Sequence, residues 1–183
     1  MTSQLPRASF AVLTLFVIAV AVTAQKPLRD NLTPQEIDLV KEAQMLDKRT
    51  EVFIKAAERR LTAINNPAQP ATKQLKKDAE KWGELPTGTR AELLSDLSKI
   101  LDDAIVNIDD VSARDETNVL IPKALRKLSA AATTFVTQLS ELDTRTKDAD
   151  ERAFIQQALE NAQAIIDAAN KLPPPTTKKK EKP

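Results

Sequence analysis

Apolar side chains recur every three or four residues along four long segments of the chain, with polar residues between them. This spacing gathers the apolar positions on one face of an α-helix. The first segment begins at a capping box, Thr33-Pro34-Gln35-Glu36, and ends before Pro67, which predicts one long first helix. Its predicted apolar stripe consists of Leu39, Ala43, Leu46, Thr50, Phe53, Ala57, Leu61 and Ile64.

Three further segments repeat the pattern over about 24 residues each, or roughly 36 Å of helix. The second helix is predicted to begin at another capping box, Thr89-Arg90-Ala91-Glu92, and the third near Pro122. The fourth follows the acidic run Asp148-Ala149-Asp150-Glu151, which suits a helix amino terminus, and ends at Pro173. Short joints between these helices predict antiparallel neighbours.

Together these features predict an all-α fold, an antiparallel up-down four-helix bundle whose first helix is the longest. Residues 67–88 form a connection punctuated by prolines and glycines, and we expect it to be partly helical between Thr72 and Trp82. We expect Trp82 to anchor this connection on the bundle. A three-helix bundle with the first helix splayed away, or an antiparallel dimer, would satisfy the same pattern.

The amino terminus has the pattern of a secretory signal peptide over residues 1–24. An apolar run, Ala8–Ala21, precedes small residues that end before Gln25. We therefore expect export to the periplasm or secretion after cleavage. The alternative is an uncleaved membrane anchor, since the apolar stretch is about as long as the shortest bilayer spans. Residues 25–33 would then be a lead, and residues 34–172 the bundle domain.

The composition narrows the possible chemistry. The chain has no histidine, no cysteine, no tyrosine and two glycines, so it lacks the commonest proton shuttle, the thiol nucleophile and glycine-rich phosphate loops. Without cysteine an exported domain of this kind must depend on its packed core instead of disulfides. The 27 basic and 26 acidic residues nearly balance, which gives no general case for a nucleic-acid partner.

A row of aspartates on the second predicted helix is the first candidate for function. Its apolar heptad places them at the two positions farthest from the core, which predicts a solvated face. The same carboxylates could instead bind a cation or dock a basic partner, although seven residues of helix separate repeats by about 10.5 Å. The residues of this possible docking face are Asp96, Asp102, Asp103, Asp109 and Asp110.

Polar residues within or beside the apolar stripes are the second candidate. Asn107 flanks the core edge of the second predicted helix, and Thr50 lies within the first stripe. Each either sets helix register through hydrogen bonds or lines a small pocket. Arg60 also leans inward, and we expect its stem to lie over apolar surface.

The carboxyl end, residues 173–183, reads PPPTTKKKEKP and is predicted to be disordered because its composition cannot build a core. Its basic residues are Lys178, Lys179, Lys180 and Lys182. Either they form a solvated tail, or they make a weak, salt-sensitive contact with an anionic envelope surface.

The segment Leu32-Thr33-Pro34-Gln35-Glu36 resembles the LTxxQ signature of periplasmic helical chaperones. The resemblance covers five residues, its glutamine stands one place early, and capping accounts for the same residues. Asn31-Leu32-Thr33 matches a glycosylation acceptor, which the following proline disfavours.

No catalytic, metal or cofactor residues are predicted. The sequence predicts an exported non-catalytic helical bundle, an interaction or structural module of the cell envelope whose partner is an unknown protein or envelope component. The alternative is a carrier of an apolar ligand or lipid between the helices. The oligomeric state stays open.

Overall fold

A computed structural model describes residues 30–66 and 73–174. In these two ranges all regular structure is helical, without a strand, and the six helices pack together. The helices are α1 (Pro34–Glu42), α2 (Leu46–Asn65), α3 (Lys73–Trp82), α4 (Arg90–Arg114), α5 (Ile121–Arg145) and α6 (Ala149–Asn170).

The predicted long first helix is wrong, because the chain breaks between Ala43 and Met45. Ala43 leaves the helical conformation with φ −75° and ψ 83°, and Met45 is extended before α2 begins. The Arg49 side chain donates a hydrogen bond to the Ala43 carbonyl at 3.0 Å, which satisfies one of the acceptors left at the end of α1. No glycine or proline marks this break in the sequence.

The break lets α1 fold back along α2. Glu36 of α1 and Arg60 of α2 are 24 residues apart, which would be about 36 Å in one continuous helix. Their side chains instead meet at 2.6 Å, and both are almost fully buried. The first predicted helix is therefore a hairpin of two helices, and only α2 enters the main bundle.

The predicted helix starts are confirmed. Thr33 and Thr89 both form capping boxes, with Glu36 and Glu92 at the third helical position. The Asp148 carboxylate caps α6 by accepting from the Glu151 amide at 2.9 Å. These side chains satisfy amide groups that the first turn of a helix leaves without partners.

The buried core lies between α2, α4, α5 and α6. Leucine, isoleucine and phenylalanine side chains supply most of its volume. Fully buried alanines on α5 and α6 include Ala124, Ala132, Ala158 and Ala162. Small side chains let neighbouring helices approach closely, and α5–α6 is the most extensive helix contact among the described residues.

The order of neighbours differs from the predicted one at the joint between α4 and α5. Each of these two helices packs mainly on α2 and α6, and they touch one another much less. The joint at 115–120 therefore connects two helices at diagonally opposite corners of the four. As a result, α2 lies beside the parallel helix α5, shown by ion pairs from Asp47 to Lys123 and from Glu51 to Lys127.

The connection between α2 and α4 is partly helical, as predicted, with α3 at Lys73–Trp82. Trp82 is not its anchor, since it is not among the side chains that pack on the core. The connection is held by polar contacts instead. Asp78 of α3 pairs with Lys55 of α2 at 3.4 Å, and Arg59 donates to the carbonyls of Gly83 and Glu84.

The predicted signal segment 1–24 and most of the 25–33 lead lie outside the described residues, as do the lysines of the tail. Within the described part of the chain, no helix is both long enough and apolar enough to cross a bilayer.

Close packing in the core predicts that Ala158→Leu is destabilising. Ala158 is fully buried, so the added atoms must displace its neighbours, at a cost of about 1–3 kcal/mol. Urea denaturation measures the free energy of unfolding. Ala164→Leu, at an exposed position of the same helix, is the matched control and should change stability by less than about 0.5 kcal/mol. Equal effects of the two substitutions would contradict the close contact.

Candidate functional site

The predicted aspartate row on α4 is not one solvated face. Asp102, Asp109 and Asp110 are exposed, and Asp110 lies 3.8 Å from Arg114. Asp103 is half-buried and accepts a 2.7 Å hydrogen bond from the Asn31 side chain. Asp96 is only 3% exposed, so its predicted position far from the core is wrong.

The reason is that α4 is buried over most of its circumference in its amino-terminal half. This half packs against α2 and α6 at the same time. Its buried side chains include Leu93, Leu94, Asp96, Leu97, Ser98 and Ile100, which no single stripe contains. A heptad assigned from the strongest apolar positions therefore misplaces Asp96. The described residues contain no group of acidic side chains suited to a metal ion.

The two predicted register residues do not join helices through the expected hydrogen bonds. Thr50 is buried, but its hydroxyl donates to the Leu46 carbonyl of its own helix at 2.9 Å. The carbonyl oxygen of the Asn107 side chain is buried and has no hydrogen-bond partner. A partly buried cross-helix bond does occur elsewhere, from the Asn161 side chain to the Ser98 carbonyl at 3.0 Å.

A buried ion cluster joins α1 to α2. The Glu36 carboxylate is fully buried and accepts two hydrogen bonds from the Arg60 guanidinium, both at 2.6 Å. It also accepts from Arg59 at 3.0 Å and from the Thr33 backbone amide at 2.9 Å. Arg60 donates further to the Asn31 carbonyl at 2.6 Å. Arg60 was expected only to extend its aliphatic stem over apolar surface. Its guanidinium in fact forms a buried ion pair with Glu36.

The two arginines have different roles in this cluster. Arg60 ties α1 and the preceding residues to α2, while Arg59 reaches the segment after α3. Burial lowers the pKa of the Arg59 guanidinium, although the charge and hydrogen bond of Glu36 oppose this shift. An arginine keeps its charge under any ordinary condition, so the cluster holds two positive charges against one carboxylate.

Gly83 allows the backbone turn that brings its carbonyl to Arg59. Its φ is +70°, a left-handed conformation that favours glycine. A Cβ atom there would also lie 3.1 Å from the Gln35 side chain of α1. The absence of a side chain lets the chain turn tightly against α1 and present its carbonyl to Arg59.

A second cluster ties α2 to α5 at the end where both helices begin. The Asp47 carboxylate is buried and lies 2.6 Å from the Lys123 ammonium and 3.1 Å from that of Lys127. Hydrogen bonding from Lys123 is the main cause that lowers the pKa of Asp47 to about 2. Lys127 also lowers the pKa of Glu51, and the Glu51 carboxylate in turn raises the pKa of Lys127.

A groove of about 680 Å³ opens further along the same two helices. Its walls are α2 and α5, and its third side is the end of α3 with the residues that follow it. The apolar lining includes Leu61, Ala79, Leu85, Ala131 and Phe135. The charged lining consists of Lys55, Glu58, Arg59, Asp78 and Glu84.

The charges around this groove are mostly paired with one another. The Lys55 ammonium lies 3.4 Å from Asp78 and 3.7 Å from Glu58. Arg59 is engaged by Glu36 and by two backbone carbonyls. The result is an amphipathic concave surface, whose apolar residues and exposed polar rim suit it to binding.

No protein-family model, no curated protein and no solved structure matches this chain. The resemblance to the LTxxQ signature thus has no matching family model, and the capping geometry of Thr33 and Glu36 accounts for those residues.

The sequence pattern did not reveal the groove or the two buried clusters. Glu36 was fully explained as a capping residue, and Asp47 stands one place from the apolar stripe. The signal that could have been followed is Arg60, an arginine at an inward position that required a buried carboxylate. Several carboxylates were available, and nothing in the sequence selected Glu36.

The Glu36 cluster predicts that Glu36→Gln lowers the free energy of unfolding by about 3–5 kcal/mol, because two buried guanidinium groups lose their carboxylate. Chemical denaturation is the measurement. Glu42→Gln, at an exposed position of α1, is the control and should have little effect. A loss of less than about 1 kcal/mol for Glu36→Gln would contradict a cluster that holds α1 in place.

The Asp47 cluster predicts a specific dependence of stability on pH. The pKa of Asp47 falls from an ordinary 3.8 to about 2 in the folded protein, so its stabilising effect is complete above pH 3.8. The effect is lost as the pH falls through about 2. Denaturation of the wild type and of Asp47→Asn should therefore differ at neutral pH and converge between these two values. A constant difference across the whole range would show that Asp47 keeps its ordinary pKa.

Proposed function

We propose that this chain is an exported, non-catalytic helical protein of the cell envelope that acts as an interaction module. In this proposal α2, α4, α5 and α6 form a four-helix bundle in which α4 and α5 occupy diagonally opposite corners, with α1 and α3 packed outside it. Export is proposed from the signal-like pattern of residues 1–24.

The groove between α2 and α5 is the observation that carries the proposal. It presents apolar surface to solvent beside a rim of charged side chains, and the helices on either side are held by buried clusters. A surface built on rigid elements binds a partner with little loss of conformational entropy. We therefore place docking at this groove and not on the α4 aspartates, two of which are covered.

The state of the charged groups supports a binding role over catalysis. Lys55 is shared between two carboxylates, and Arg59 has its donors directed at Glu36 and at backbone carbonyls. A general acid or base needs a group directed at a substrate. Here the cations hold the walls of the groove together.

The alternative proposal is that the groove carries an apolar small molecule. Its volume of about 680 Å³ lies within the range of small-molecule sites, roughly 300–1,000 Å³. The carrier would hold its ligand between α2 and α5 and not inside the core, where leucine and alanine side chains are fully buried against one another.

Site-specific photo-crosslinking in the cells that express the protein tests the docking proposal. Thr134 lines the groove and is exposed, so a benzophenone side chain there should form one discrete product with a partner protein. Thr133 is exposed on the same helix but does not line the groove, which makes it the matched control. The product should be absent at position 133 and at an exposed position of α4.

Two results would count against docking. Equal products at positions 133 and 134 would indicate contact without a defined surface. No protein product, together with strong binding of a solvatochromic dye that Thr134→Arg abolishes and Thr133→Arg does not, would favour the carrier.

A further inference from the structure

The groove lies between the parallel helices α2 and α5, beyond the ion pairs that join them near one end. Their ion pairs join Asp47 and Glu51 to lysines near the start of α5. One turn further along, at Lys55 and Ala131, the lining of the groove begins, and it continues to Thr62 and Gln138. Each wall therefore spans eight residues, or about 10.5 Å from first to last, which is about two turns of an α-helix.

The apolar part of the lining is suited to a helix that approaches closely. Leu85 supplies a larger, partly exposed side chain, and Ala131 leaves room for a side chain of the occupant. Phe135 and Leu61 are 1% and 2% exposed and belong to the core more than to the groove. An extended peptide would lie here without a strand to pair with, since the described residues contain none. A helix satisfies its own backbone groups, so it suits these walls better.

The rim has an excess of negative charge. Among the described residues of the lining, Glu58, Asp78 and Glu84 are acidic and Lys55 and Arg59 are basic, which gives a formal charge of −1. Arg59 lies 3.0 Å from the Glu36 carboxylate, which it shares with Arg60. Glu84 is exposed and forms no ion pair with any described residue, and Glu58 is about half-exposed. An occupant that carries positive charge would find the Glu84 carboxylate on one side of the apolar strip, and on the other side Glu58, which shares Lys55 with Asp78.

We propose that the groove receives a basic amphipathic α-helix of a partner protein, an inference that rests on the docking function proposed above. Two turns of the helix lie between α2 and α5. Apolar side chains at positions i, i+3 or i+4, and i+7 cover Ala79, Leu85 and Ala131, and lysine or arginine residues beside them reach Glu58 and Glu84. The bound helix becomes an additional neighbour to α2 and α5.

Binding of a model helix tests the class of occupant. The probe is a fluorescein-labelled, amidated 14-residue peptide of leucine and lysine in a helical pattern, and its counterpart has glutamate in place of every lysine. Fluorescence anisotropy with the full chain purified from expressing cells should show binding of the lysine peptide and at least tenfold weaker binding of the glutamate peptide.

Substitutions then locate the binding on the protein. Thr134→Arg should weaken binding of the lysine peptide at least tenfold, and Thr133→Arg, which adds the same charge on the same helix, should change it less than twofold. Glu84→Lys should weaken it severalfold, and raised salt should weaken it further. Thermal melts of each variant confirm that all of them are folded, because the three positions are exposed.

Three outcomes would overturn the inference. The first is equal binding of the lysine and glutamate peptides, and the second is equal weakening by the two threonine substitutions. The third is tighter binding of a peptide of residues 173–183, which would make the groove a site for the chain's own tail. If position 134 still crosslinks a partner in cells, only the class of occupant is wrong. If it does not, the docking function itself fails.

Discussion

The buried contact of Glu36 with Arg59 and Arg60 is the interaction on which the rest of the arrangement depends. A carboxylate without access to water is stable only beside positive charge and hydrogen-bond donors, and here two guanidinium groups and the Thr33 amide supply them. Both arginines lie on α2, so α1 must fold back to bring Glu36 to them. The break at Ala43–Met45 follows from this requirement and not from any local helix-breaking residue.

The same cluster shapes the outside of the protein. With one side engaged by Glu36, Arg59 directs its remaining donors at the carbonyls of Gly83 and Glu84, which sets the path of the chain between α3 and α4. Asp78 adds a partly exposed ion pair to Lys55. One wall of the groove therefore depends on α2 for its position, although its side chains barely reach the core. Loss of Glu36 would disturb the groove as well as α1.

Local signals predicted most of the helices, because a capping box or a proline acts over a few residues and leaves the same mark in any fold. The starts at Thr33, Thr89 and Asp148 needed nothing beyond their own turns. What failed depended on contacts between distant residues. The α1–α2 break depends on the contact between Glu36 and Arg60, which are 24 positions apart. The burial of Asp96 reflects the packing of two helices on α4 at once. The groove was unpredictable for the same reason, since its walls come from three separate segments.

The diagonal joint between α4 and α5 explains why a groove forms at this position. In a simple up-down order each helix lies between two antiparallel neighbours, and the short joints hold both ends of each pair together. Here α2 and α5 are parallel neighbours, so no short joint connects them at either end. Salt bridges from Asp47 and Glu51 join α2 and α5 near one end. The other end of this pair has neither a short connecting loop nor such salt bridges among the described residues. Two parallel helices that are joined by salt bridges near one end, and that have a small side chain at Ala131, leave space between them further along. The groove is thus a consequence of the topology, and the proposed basic helix would meet its acidic rim.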